Sequence, residues 1–242
     1  VLSLLLWIAL SRWLLNAAEP LISLEILVNS IVRNATITTF ITQAVFVGLS
    51  VYLPIYMQLF LHLSVEDSGT ALLGLMLGTV AGAMGSGRLV SHVTHYKRIA
   101  LIGALFCAAC LAALGFMAGH ASVLTVELLT TAAGIGSGAT LPICTVAVQN
   151  AVNRAHLGVA TGLITFMRSL GGAMGVAAFG AIALGYDLPL GRGGMAVADV
   201  TSTPFAIIFY AAAASVFVAF LFLIRMPEQP LRGAEHPAPG IE

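Results

Sequence analysis

Charge is what this chain has least of. Its 242 residues include 10 Lys and Arg against 10 Asp and Glu, so only 8% of them are charged. A water-soluble domain carries roughly 25% charged residues, and a chain this poor in them cannot be solvated on all sides. The two signs cancel to zero net charge, which leaves no basic face for nucleic acid. Cysteine is scarce as well, and three residues build no disulfide framework. Cys107 and Cys110 form a C-x-x-C inside the apolar run "ALFCAACLAAL", with no second Cys or His pair beside it. Packing is therefore expected of them rather than metal binding. His92 and His95 lack a neighbouring carboxylate or thiol, so no metal site is expected there either. The sequence has no H-E-x-x-H, no G-x-S-x-G and no paired intramembrane Asp. A membrane-embedded enzyme is not expected, nor is any cofactor.

What the chain has is apolar residues, 59% of the total. They run in long stretches broken by short polar turns, the pattern of an all-α, multi-pass membrane protein. Six transmembrane helices are predicted, over residues 35–61, 67–90, 98–118, 122–148, 157–184 and 204–225. Ser64 and Asp67 have the spacing of a capping box at the start of the second. Ahead of them, "VLSLLLWIAL" (1–10) supplies half of the ~20 apolar residues that a span needs. No basic region precedes it as in a signal peptide, so it reads as the end of a truncated helix. Residues 11–34 read as a cytoplasmic amphipathic linker. Residues 226–242, rich in Pro and charge, read as a disordered cytoplasmic tail.

The cations orient the bundle. With 11–34 inside and the helices alternating, Arg12, Arg33, Arg88, Lys97, Arg98, Arg154, Arg225 and Arg232 all fall on the cytoplasmic side. Arg192 alone falls outside, and Arg168 lies within a span. That is the positive-inside bias. The cluster in "GSGRLVSHVTHYKRIALIG" (85–103) thus marks a cytoplasmic turn.

The six spans also differ in a repeating order. The first and fourth carry Thr, Ser, Gln and Glu. The second and fifth carry glycines, among them Gly74, Gly78 and Gly82, then Gly171, Gly172 and Gly175. The third and sixth are almost wholly Ala, Leu, Ile, Val and Phe. Polar, glycine-rich and apolar helices succeed one another twice, which is a three-plus-three internal repeat. The polar helices are expected to line a cavity, the glycine helices to pack closely, and the featureless ones to face lipid.

At this point the chain resembles a known family. "GRLVSHVTHYKR" is similar to the cytoplasmic-loop motif of the major facilitator superfamily, G-x-L-a-D-r-x-G-r-k. "YLPIYMQLF", "AVQNAVNRAHLGVATG" and "FMRSLGGAMGVAAFGAI" resemble its fourteen-helix drug:proton antiporter branch, the EmrB/QacA type. The resemblance runs from about Glu19 to about Leu184. It places Gly87, Arg88, Lys97 and Arg98 in the loop motif, with Ser91 where the family has Asp and Thr94 where it has Gly. The topogenic role of Lys97 and Arg98 needs only their charge. The resemblance implies that residues 35–225 form the C-terminal domain of a transporter in a bacterial cytoplasmic membrane, its N-terminal half lying elsewhere. It further implies a lipophilic small-molecule substrate and proton-driven export, by rocking of the two halves about a central site. Import or export of an organic acid or sugar is the alternative within transport. A non-transporting truncated remnant is the alternative outside it.

Two residues stand out within the spans. Arg168 lies about eleven residues into the fifth helix, ~16 Å deep at 1.5 Å per residue. A guanidinium there costs about 2.5–3.5 kcal/mol on insertion scales. It is expected to face a cavity or the other domain and to bind an acid, a carbonyl or substrate; a structural tie to backbone carbonyls is the plainer reading. Glu127, about five residues into the fourth helix from the outer side, is either a carboxyl that takes up and releases the coupling proton or a solvated residue at the outer mouth. Gln43, Thr39, Thr42 and Thr131 are candidates to hydrogen-bond substrate or, equally, neighbouring helices. Gly74, Gly78, Gly82, Gly171 and Gly175 are candidates for a close-packed interface, the first three on one smooth face with sliding between domains as the added possibility. "GIGSGATLP" (134–142) suits a broken or bending cavity helix.

Overall fold

A computed structural model describes residues 28–90, 96–186, 188 and 201–229. The truncated helix at 1–10, most of the 11–34 linker, His92, His95, Arg192 and the tail from 230 onward lie outside the described residues. The described residues run through six long helices: α1 Ser30–Leu59, α2 Val65–Val90, α3 Tyr96–Met117, α4 Val123–Ala151, α5 Leu157–Gly185 and α6 Thr203–Arg225. A short 3-10 turn, Arg154–His156, joins α4 to α5. Each of the six long helices is long and apolar enough to cross a membrane.

Local signals set several of the ends. α1 begins at Ser30 rather than near 35, because Asn29 caps it: Asn29 Oδ1 accepts from the Ile31 N–H at 2.9 Å. Residues 30–34 therefore belong to α1 and not to the linker. Asp67 N–H donates to Ser64 Oγ at 3.0 Å, so the expected cap of α2 is present, and the helix opens at Val65. Ser122 Oγ accepts from the Thr125 N–H at the start of α4. Between α1 and α2, His62 takes a positive φ of 55° to turn the chain.

The helices pack by exchange between the two triplets. α2 lies along α4 and α1 along α5, so the second helix of each triplet packs on the first of the other. α3 packs on α6, and α1 on α4. That symmetry is what a three-plus-three repeat requires. Adjacent ends confirm the alternation: Asn29 Nδ2 at the start of α1 donates to Ala151 O at the end of α4, at 3.4 Å. All described Lys and Arg except Arg168 consequently gather at one end of the bundle, the basic end.

One expectation about the layers needs correction. α4 is the most buried helix, while the glycine-rich α2 and α5 are the least buried and the bland α3 and α6 lie between. α3 buries Ala100, Ala104, Cys107, Leu111 and Leu114 and exposes Ile102, Leu105, Phe106 and Phe116. Packing against a helix and facing a lipid tail select the same apolar residues. Blandness therefore does not report exposure.

Candidate functional site

Glycine fixes how closely the paired helices approach. A Cβ on Gly78 or Gly82 would run into the backbone carbonyl of Thr131 or Ile135, and one on Gly74 would stand 2.5 Å from Thr131 Oγ1. Across the same seam, Gly134 and Gly138 of α4 face the carbonyls of Leu75 and Thr79. Gly171 and Gly175 repeat the arrangement on α5, against Phe40 and Ala44 of α1. These glycines therefore make the α2–α4 and α1–α5 seams inside this six-helix unit. Gly136 turns the other way, toward Gly103 of α3. The "GIGSGATLP" segment is thus a wedge between two neighbours, and α4 continues unbroken through Pro142 to Ala151.

Those seams leave little room for most of the threonines. Thr36, Thr38, Thr39 and Thr42 are buried. Thr39 Oγ1 donates to Ala35 O at 2.8 Å and Thr36 Oγ1 to Val32 O at 2.8 Å, each one turn back along α1. Thr38 Oγ1 reaches Ala219 O of α6 at 3.4 Å. Thr131 is half-buried against Gly74. A hydroxyl that satisfies itself on its own helix can point inward at low cost, and so Thr content alone does not mark a cavity wall.

The half-exposed strip of α1 is a different set: Gln43, Phe46 and Ser50, at helical spacing. Gln43 Oε1 is buried and accepts from no described residue. On α4 the residues at the same spacing are Pro142 and Thr145, half-buried, and Gln149, exposed. Gln149 missed notice in the sequence because it stands beside a helix end; its Nε2 bridges to Thr161 Oγ1 of α5 at 3.5 Å.

Arg168 is exposed on α5 and forms no hydrogen bond or ion pair with a described residue. Glu127 is half-buried near the opposite end of α4. Counting 1.5 Å per residue from the shared basic end, the two lie roughly 20 Å apart along the bundle axis. The fold does not bring them together. In the loop motif, Gly87, Arg88 and Arg98 are exposed. Lys97 is engaged: its Nζ donates to Ile224 O at 2.8 Å and Met226 O at 2.6 Å, capping the end of α6. Glu228 Oε1 in turn accepts from the Lys97 N–H at 3.1 Å. Residues 226–229, assigned to the tail by sequence, are held against α3 by this exchange. Cys107, Cys110 and Cys144 are free and buried. No group of three His, Cys, Asp or Glu among the described residues could hold a metal ion.

The sequence profile of the Major Facilitator Superfamily matches residues 1–176. The chain belongs to the major facilitator superfamily. It is thus a multi-pass membrane protein, and its six described helices pack as two exchanged triplets. Among its relatives is a tetracycline resistance determinant of Streptomyces rimosus, 27% identical over 65% of this chain and 44% of that protein. Multidrug transporter protein MdtP of Bacillus subtilis is 26% identical over 69% of this chain and 31% of its own length. Drug efflux pump JefA of Mycobacterium tuberculosis is 28% identical over 72% and 34%. The chain spans less than half the length of these relatives.

Proposed function

We propose that the chain forms the C-terminal half of a proton-coupled exporter of lipophilic, drug-like compounds, of the fourteen-helix EmrB/QacA type, in a bacterial cytoplasmic membrane. The observation that carries this reading is the half-buried strip Gln43, Phe46 and Ser50 on α1. One aromatic ring and one amide whose oxygen lacks a described donor, with the Ser50 hydroxyl turned back to Val47 O at 2.7 Å, suit a largely apolar ligand with few polar groups. An organic acid or a sugar would call for charged or densely polar walls. The names of three relatives, a tetracycline resistance determinant, a multidrug transporter and a drug efflux pump, agree with this choice.

Coupling falls to Glu127. It is half-buried at the end away from the basic cluster, where a carboxyl can exchange protons with the outer medium as the cavity alternates. Thr39, Thr42 and Thr131 support the wall from behind rather than touching substrate. The halves rock about the cavity, with the glycine seams keeping this half rigid as it moves.

The test is dye export by the full-length transporter in an efflux-deficient bacterial host. Export of a lipophilic cationic dye is expected to stop on adding a protonophore, and Glu127→Gln is expected to slow it more than tenfold at equal protein level. Dye export that ignores the protonophore, or an unimpaired Glu127→Gln variant, would remove proton coupling through this residue. Absence of any export of lipophilic compounds would remove the substrate class.

A further inference from the structure

α2 and α5 hold equivalent places in the two triplets, and both turn a broad face out of the bundle. The two faces differ in chemistry. In its middle α2 exposes Leu73, Met76, Leu77, Val80 and Met84, with Glu66 and Asp67 exposed at one end and Arg88 at the other. In the half nearest the basic end α5 exposes a stripe of Thr161, Thr165, Arg168 and Ser169, flanked by exposed Phe166 and Leu170, and in the other half Ala173, Met174, Ala177, Ala181 and Leu184. The polar stripe is continued onto α4 by Gln149, bonded to Thr161. From Thr161 to Ser169 it climbs about 12 Å at 1.5 Å per residue and stops at mid-helix, beside Arg168.

Lipid tails would meet that stripe at a cost. Thr161 and Thr165 are neutral and can bond backward, as Thr165 Oγ1 does to Thr161 O at 2.9 Å. The guanidinium cannot, and it needs a negative partner or water throughout the transport cycle. The described acids are Glu66, Asp67, Glu127 and Glu228. Each sits at or near a helix end, and none is at the depth of Arg168. A transient substrate would leave the charge uncompensated between cycles, whereas a resident carboxylate would not. Relatives such as MdtP and JefA, in which the matched stretch is about a third of the protein, supply polypeptide from which such a residue can come.

We infer that the stripe on α5 lines a hydrated cleft opening at the basic end, and that Arg168 closes it by pairing with a carboxylate from the transporter's other half. This rests on reading the chain as half of a transporter, and it assigns the polar contact between halves to α5 and the apolar contact to α2. Arg168 is then a positioning residue whose partner sets how the halves meet.

Two measurements on the full-length transporter test it. Single cysteines replace Thr161, Thr165 or Ser169 in one set, and Leu77, Val80 or Met84 in the other. A membrane-impermeant thiol reagent is applied to inside-out vesicles, where the three native cysteines of this half are buried. The α5 set is expected to react at least tenfold faster, and equal rates would overturn the hydrated cleft whether or not the protein exports anything. The second measurement selects suppressors of Arg168→Gln. That variant is expected to lose most of its activity or abundance and to recover when one Asp or Glu outside these 242 residues becomes neutral. A fully abundant and active Arg168→Gln variant, or suppressors that only change substrate range, would overturn the resident pairing.

Discussion

Lys97 illustrates how a single side chain can take on a role its neighbourhood in sequence does not announce. By sequence it is one cation of a basic turn, with a topogenic role. Its two acceptors belong to Ile224 and Met226, the first of them 127 residues away. A cation on the last carbonyls of a helix stabilises it by about 0.3–1 kcal/mol through the macrodipole, and charged hydrogen bonds add to that. Lys97→Met keeps the apolar stem and removes the cap. We expect a loss of about 1 kcal/mol in stability, read as a melting point a few degrees lower for the detergent-solubilised transporter, with Lys97→Arg close to the parent. Membrane topology, mapped with reporter fusions, is expected to stay the same because Arg88 and Arg98 still mark the turn. An inverted topology in Lys97→Met would mean that its charge, not its cap, is what counts. Arg168, by contrast, was legible as unusual from its depth alone. The absence of a described partner required the fold.

Among the helices, the glycines decide the geometry. Their spacing of four, in Gly74, Gly78 and Gly82, is visible in the sequence as one smooth face, but not the helix that it meets. The fold places α4 there, with its own Gly134 and Gly138. Overpacking a tight seam costs typically 1–3 kcal/mol. Here the obstruction is backbone, which cannot rotate away. Gly82→Leu and Gly138→Leu are each expected to cut the amount of folded transporter in membranes several-fold. Gly85→Ala and Gly87→Ala meet nothing within 4 Å and are expected to leave it unchanged. Comparable loss in all four would point to backbone flexibility instead of close approach. The spans themselves were readable to within a few residues, since apolar length is a local property. The threonines misled because the same hydroxyl serves a wet wall and a dry helix backbone equally well.

For the molecule as a whole, the exchanged pairing makes the six helices one body: no triplet completes its contacts without the other. The chain covers 44% of one relative and 31% of another, and its broad outer faces on α2 and α5 suit the proposal that it forms one half of a transporter. Expression of residues 1–242 alone in an efflux-deficient strain is therefore expected to leave drug susceptibility at the level of an empty vector. Protonophore-sensitive dye export by these residues alone would contradict that.

The sequence by itself determined the solvent, the number of spans, the internal repeat and the family, because composition, apolar run length and short motifs are all written along the chain. The tertiary structure alone decided which face of each helix is covered. That choice turned Thr36, Thr38, Thr39 and Thr42 inward, seated the glycines on α4 and α1, tied Lys97 to the far end of α6 and left Arg168 outside. In an apolar solvent, hydrophobicity no longer separates inside from outside. Only the packing of one helix against another does so.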